Sequence, residues 1–296
     1  MIFAQNPTFI SFVTAEGFQW PRTLSSLTND LEAYEFPRNP DLRYEWSHPV
    51  LEVGPVVDPD YLDARSVCLG IDVWSRKAPP KLVARTVATR VSEWCDQHGL
   101  GRCPRAVSSD IKRTVVNELT AQMPLVPKRY DIMIDHSAVD SDRLRITVGG
   151  TGSAAQEVAS AVARIFATSL ARTLGAPAED LFHALVAAPE GHPISRPPLH
   201  DLELTGAVKV RDRHDVDITW SDTPDPGDLS DTRPLKFQVK AHGPADEPYT
   251  FVLKGSALAG LQHEDKIEEM YEYPELLSGA LGLWESAFPP PNDTPQ

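Results

Sequence analysis

Apolar and small polar residues alternate over Thr8–Thr14, the two-residue period of a strand. A helix is expected over Leu24–Tyr34. From Phe36 to Tyr61, Pro37, Pro40, Pro49, Pro55 and Pro59 break any long periodic element, leaving an irregular stretch with short strands. Ser66–Trp74 then reads as a buried strand, and two helical patterns follow. Over Pro79–Cys95 the apolar residues Val83, Val87, Val91 and Trp94 recur at helical spacing, which leaves Lys81, Arg85 and Arg90 to other faces. Beyond a loop with Gly99, Gly101 and Pro104, Ser108 or Ser109 is the candidate N-cap of a second helix. Its stripe is Ile111, Val115, Leu119 and Met123, and Pro124 and Pro127 end it.

Residues 130–148 read as two strands around an acidic turn, followed by an Ala-rich helix from Ser153 to about Leu174 and a short helix over Ala178–Ala187. A hairpin running into a helix is an α+β signature, with antiparallel strands mixed among helices. The proline-rich segment 188–198 is the best boundary candidate, which divides the chain into residues 1–187 and 188–296. Strands are expected near Ala207–Val210, Val216–Trp220, Leu235–Ala241 and Tyr249–Leu253. A C-terminal helix is expected around Ile267–Phe288, interrupted at Pro274.

Charge changes this picture. The chain's net charge is −14, which by itself argues against a nucleic-acid partner. Yet residues 76–129 carry eleven Lys and Arg against four Asp and Glu. The eleven are Arg76, Lys77, Lys81, Arg85, Arg90, Arg102, Arg105, Lys112, Arg113, Lys128 and Arg129. A basic island inside an acidic chain points to a polyanion partner. Three cysteines, Cys68, Cys95 and Cys103, are too few for a disulfide framework and suggest a reducing compartment. With no apolar run of about 20 residues and no signal-like N-terminus, the expected location is cytoplasmic.

Enzyme signatures are weak. Val148–Ala155 contains GxGxxA between a strand and a helix, but the parallel βαβ unit and second acidic strand end of a dinucleotide site are missing. Cys95, His98 and Cys103 match no standard zinc spacing. Asp131 and Asp135, near an acidic turn, are the candidates for a metal-dependent nuclease. No catalytic residue, metal or cofactor is assigned. A third reading is a protein-interaction module whose basic face docks an acidic partner.

The order of elements carries a resemblance. From Arg76-Lys77-Ala78-Pro79-Pro80 through Ile134-Asp135, the chain resembles the RdgC family of recombination-associated DNA-binding proteins. That family opens a long helix with EKILP, follows it with a basic turn, and continues in a segment matched here by Lys112, Val115, Leu119, Ile134 and Asp135. The similarity extends through Arg143–Val148, Ser153-Ala154-Ala155 and Leu174-Gly175. It also takes in Trp46 before Pro49, and Gly206-Ala207-Val208-Lys209-Val210-Arg211, so it covers roughly two thirds of the chain. The family's LLPRAFSR stretch is replaced by LTAQMPLVP over Leu119–Pro127, with Lys128 and Arg129 just beyond.

The resemblance implies a two-fold, ring-shaped dimer that encircles duplex DNA without sequence preference and restrains RecA-type strand exchange on the nucleoid. It places dimer contacts at Met123, Pro124, Leu125 and Val126, and makes Lys209 and Arg211 inner-surface or interface residues. DNA contact then falls chiefly to Lys81, Arg85, Arg90, Arg102, Arg105, Lys112 and Arg113 on a basic two-helix segment. Arg76, Lys77, Lys128 and Arg129 are secondary.

Overall fold

Phe9–Thr14 forms strand β1, as its alternation requires, and in the computed structural model it lies inside a sheet. The structure describes residues 8–20, 23–36, 42–48, 56–57, 66–150, 153–188, 192–221, 229, 232–262 and 272–289. Two compact units result. Unit 1 comprises residues 1–35, 46–71 and 130–296, and unit 2 comprises residues 36–45 and 72–129.

The elements in chain order are β1, α1 (Leu24–Ala33), β2 (Leu42–Ser47), β3 (Ser66–Arg76), α2 (Pro80–His98), α3 (Arg105–Gln122), β4 (Leu125–His136), β5 (Leu144–Gly149) and α4 (Ser153–Ile165). They continue with β6 (Leu170–Thr173), α5 (Ala178–Ala187), β7 (Ile194–Arg196), β8 (Leu199–Arg211), β9 (Asp217–Trp220), β10 (Arg233–His242), β11 (Pro248–Lys254), β12 (Ala257–Gln262) and α6 (Glu272–Ala287). This is a mixed α+β fold with antiparallel sheets.

Within unit 1 the first sheet runs β3-β4-β5-β1-β6, and β5 is antiparallel to both β1 and β4. One face presents Phe9, Val13, Cys68 and Met133 to the main core. There they meet Leu181 and Phe182 of α5, Leu277, Leu281 and Trp284 of α6, and the inner residues of the second sheet. On the opposite face lie Ile132, Ile134, Ile146 and Val148, all buried. Helix α4 covers it with Ala155, Val158, Ala159 and Val162, spaced i, i+3, i+4, i+7. The second sheet runs β12-β11-β10-β8-β7, with β9 also paired to β8.

Several expectations are corrected. The Ala-rich helix stops at Ile165: Ala167 adopts φ 56°, and Leu170–Thr173 pairs with β1 as the edge strand β6. Helix α3 starts at Arg105, with Pro104 in the N-cap position, rather than at Ser108 or Ser109. Helix α6 begins at Glu272, so Pro274 sits in its first turn, where no intrahelical N–H bond is lost. The expected start at Ile267 lies outside the described residues.

The units also divide elsewhere than at 187/188. Thr8 bridges Gly260, and Gly175 bridges Ala257, so both sides of that boundary share one core. At Gly175 a Cβ would collide with the Ser256 carbonyl, so this approach needs glycine.

Candidate nucleic-acid interface

The basic island folds as a helical hairpin inside unit 2. Pro80 at the first position of α2 loses no hydrogen bond there. Gly99 ends the helix with φ 64°, and Leu100 N–H donates to the Cys95 carbonyl at 3.0 Å. The expected stripe is real but thin. Val83, Val87, Val91 and Trp94 are only half-buried, α2 has no buried residue, and Val115 is the one buried residue of α3. The two helices therefore pack on each other through narrow apolar faces, which leaves most of each surface to polar side chains.

The eleven cations divide by their neighbours. Arg76 donates to the carbonyls of Met123 at 2.6 Å and Ala121 at 3.3 Å, closing the C-terminal end of α3. Arg90 lies on the packed side and meets Glu118 of α3. That hydrogen bond holds the Glu118 carboxyl below its usual range and raises Arg90. Arg113 pairs with Asp110 at 2.8 Å, one turn earlier. Arg129, half-buried, donates from Nε at 3.1 Å and Nη2 at 2.9 Å to both oxygens of Asp72. Lys128 is exposed.

The other six are Lys77, Lys81, Arg85, Arg102, Arg105 and Lys112. All are exposed and have no hydrogen-bond or ion-pair partner among the described residues. Lys81 and Arg85 lie one turn apart on the side of α2 away from its stripe. Arg105 and Lys112 lie two turns apart on one side of α3. At 1.5 Å per residue, Lys81 and the interhelical turn are about 25 Å apart, so the free cations span most of a turn of duplex DNA, about 34 Å.

The remaining candidates fall elsewhere. Met123 caps α3, Leu125 and Val126 begin β4, and Pro124 lies between them; Val126 is 54% exposed. Lys209 Nζ and Arg211 Nε both meet Asp217, at 3.0 and 2.9 Å. His98 Nδ1 lies 2.8 Å from the Trp94 carbonyl, its ring stacked on that indole. Burial raises the Cys95 thiol, with Cys103 beside it adding to the shift. No group of three His, Cys, Asp or Glu among the described residues is arranged to hold a metal ion. The glycine loop joins β5 to α4 from an antiparallel sheet, and its Thr151 and Gly152 lie outside the described residues.

Asp135 has a structural role that its sequence context did not disclose. On β4 it stands opposite Arg145 of β5, whose Nε donates to Oδ1 at 2.9 Å and whose Nη2 donates to Oδ2. The Ser278 hydroxyl donates to Oδ2 at 2.6 Å. Arg145 Nη1 reaches Glu285 of α6 at 3.3 Å, and Glu285 also accepts from Ser137 Oγ at 2.6 Å and Ala138 N–H at 3.0 Å. Arg145, Asp135 and Glu285 are all buried. Both Asp135 oxygens are thus occupied. Asp131, four residues along the strand, is about 13 Å away, too far for the two to share one ion.

No protein-family model matches the chain, and no curated protein matches it significantly.

Proposed function

We propose that this chain is a sequence-independent duplex-DNA-binding protein of RdgC type, without catalytic residues of its own. The reading rests on one observation: six exposed cations between Lys77 and Lys112, on and beside the α2–α3 hairpin, have no partner among the described residues, in a chain whose net charge is −14. Lys and Arg on a helical surface neutralise phosphates and orient a duplex without reading its bases.

The resemblance of its order of elements to the RdgC family supports the finer reading. In it, two copies encircle the duplex, with Met123–Val126 at a dimer contact and Lys209 and Arg211 at an inner surface or interface. The dimer restrains RecA-type strand exchange on the nucleoid in the cytoplasm. An acidic protein partner would also suit the hairpin, and DNA binding separates the two readings.

The test is equilibrium binding to two unrelated duplexes of equal length over a range of salt. The affinities should agree, and the six cations alone should make log Kd against log salt change with a slope of magnitude of at least about 5.4. Affinity indifferent to salt, or a strong preference for one duplex, would refute phosphate-directed binding. Retention of an acidic protein with no affinity for DNA would favour the interaction module.

A further inference from the structure

The second sheet of unit 1 carries a row of like charges. Lys209 on β8 stands opposite Lys236 on β10, and Lys236 stands opposite Lys254 on β11. Their chain neighbours Val208, Val210, Phe237 and Leu253 face the core. Strand alternation therefore turns the three lysines to the other face. Arg211 shares that face, and so does Lys240, which stands opposite Glu203.

Like charges directly opposite one another on adjacent strands destabilise a sheet. In this acidic chain, relief by neighbouring carboxylates would be easy to supply. Asp217 provides it for Lys209 and Arg211, and their hydrogen bonds hold its carboxyl below the usual range. Lys236 and Lys254 are exposed and have no partner among the described residues. Arg233, at the start of β10, is directed to Glu179 of α5 at 3.9 Å and is not counted in the row.

The side chains around the row identify the partner's chemistry. Thr205, Thr219, Gln238 and Thr250 share cross-strand pairs with residues of this face. The centre of a protein interface is apolar and aromatic. Lysines set among Thr and Gln are instead the groups that contact phosphate oxygens. With strands about 4.8 Å apart, Lys209 and Lys254 are separated by about 9.6 Å, a reach that flexible lysine side chains extend over successive phosphates.

We propose that the outer face of this sheet, centred on Lys209, Lys236 and Lys254, is a phosphate-backbone contact surface for duplex DNA in addition to the α2–α3 hairpin. The inference rests on the DNA-binding reading above. Its test uses the full chain and two double variants in parallel, Lys236→Gln with Lys254→Gln, and Lys81→Gln with Arg85→Gln.

The sheet variant should bind duplex DNA at least about tenfold more weakly, with the salt slope reduced in magnitude by about 1.8 for two lost contacts. Its melting temperature should hold or rise, because repulsion between opposed lysines is relieved. If the hairpin variant loses affinity while the sheet variant keeps the wild-type affinity and slope, this surface is refuted and the DNA-binding reading stands. If the wild-type chain does not bind DNA, both fall. A lower melting temperature for the sheet variant, with binding unchanged, would show that the row supports the fold instead.

Discussion

Side chains of one type take different roles here according to what they face. Arg145 and Arg85 are equally cationic in the sequence, yet Arg145 is buried between Asp135 and Glu285 while Arg85 is exposed without a partner among the described residues. Removing one member of a buried ion pair leaves the others charged and desolvated, at a cost of about 3–5 kcal/mol. Arg145→Leu should therefore lower unfolding free energy by that order, measured by urea denaturation. A loss below about 1 kcal/mol would mean that the network does not hold α6 to the first sheet. At the surface the arithmetic differs: exposed substitutions away from such features shift stability by about 0.5 kcal/mol or less.

That contrast makes the α2–α3 hairpin testable as an element. Lys81 and Arg85 sit on the side of α2 away from Val83, Val87 and Val91, so replacing both with Glu spares the packing against α3. Thermal unfolding should hardly move, and DNA affinity should fall well over tenfold as two attractive phosphate contacts become repulsive. The control is Arg164→Glu with Arg213→Glu, at exposed positions in unit 1, which changes net charge by the same amount. Equal losses in both variants would show that total charge governs binding. Arg90→Ala is not an equivalent probe, because Arg90 joins α2 to α3 through Glu118 and its loss would loosen the hairpin itself.

For the whole molecule, the proposed ring requires two copies. Sedimentation equilibrium at micromolar protein should give twice the chain mass of 32.6 kDa, and Val126→Glu should shift the distribution toward single chains. A single-chain mass unchanged by duplex DNA would rule out the ring and leave at most an open clamp. The sequence by itself determined what local physics controls. Alternation fixed β1 and the β4–β5 hairpin, helical spacing fixed the stripes of α2 and α3, and the density of Lys and Arg marked residues 76–129 as a basic island. Tertiary structure decided whatever depends on residues distant in the chain. It made Asp135 a partner of Arg145 and Glu285 instead of a free carboxylate. It also drew Leu170–Thr173 from a helical pattern into an edge strand on β1, and added β12 from the weakly β-forming Ala257–Gln262. It separated Lys77, Lys81, Arg85, Arg102, Arg105 and Lys112, without a partner among the described residues, from Arg76, Arg90, Arg113 and Arg129, and aligned Lys209, Lys236 and Lys254 from three strands. Pairing register and burial are set by contacts across the fold, and no window of sequence contains both sides of such a contact.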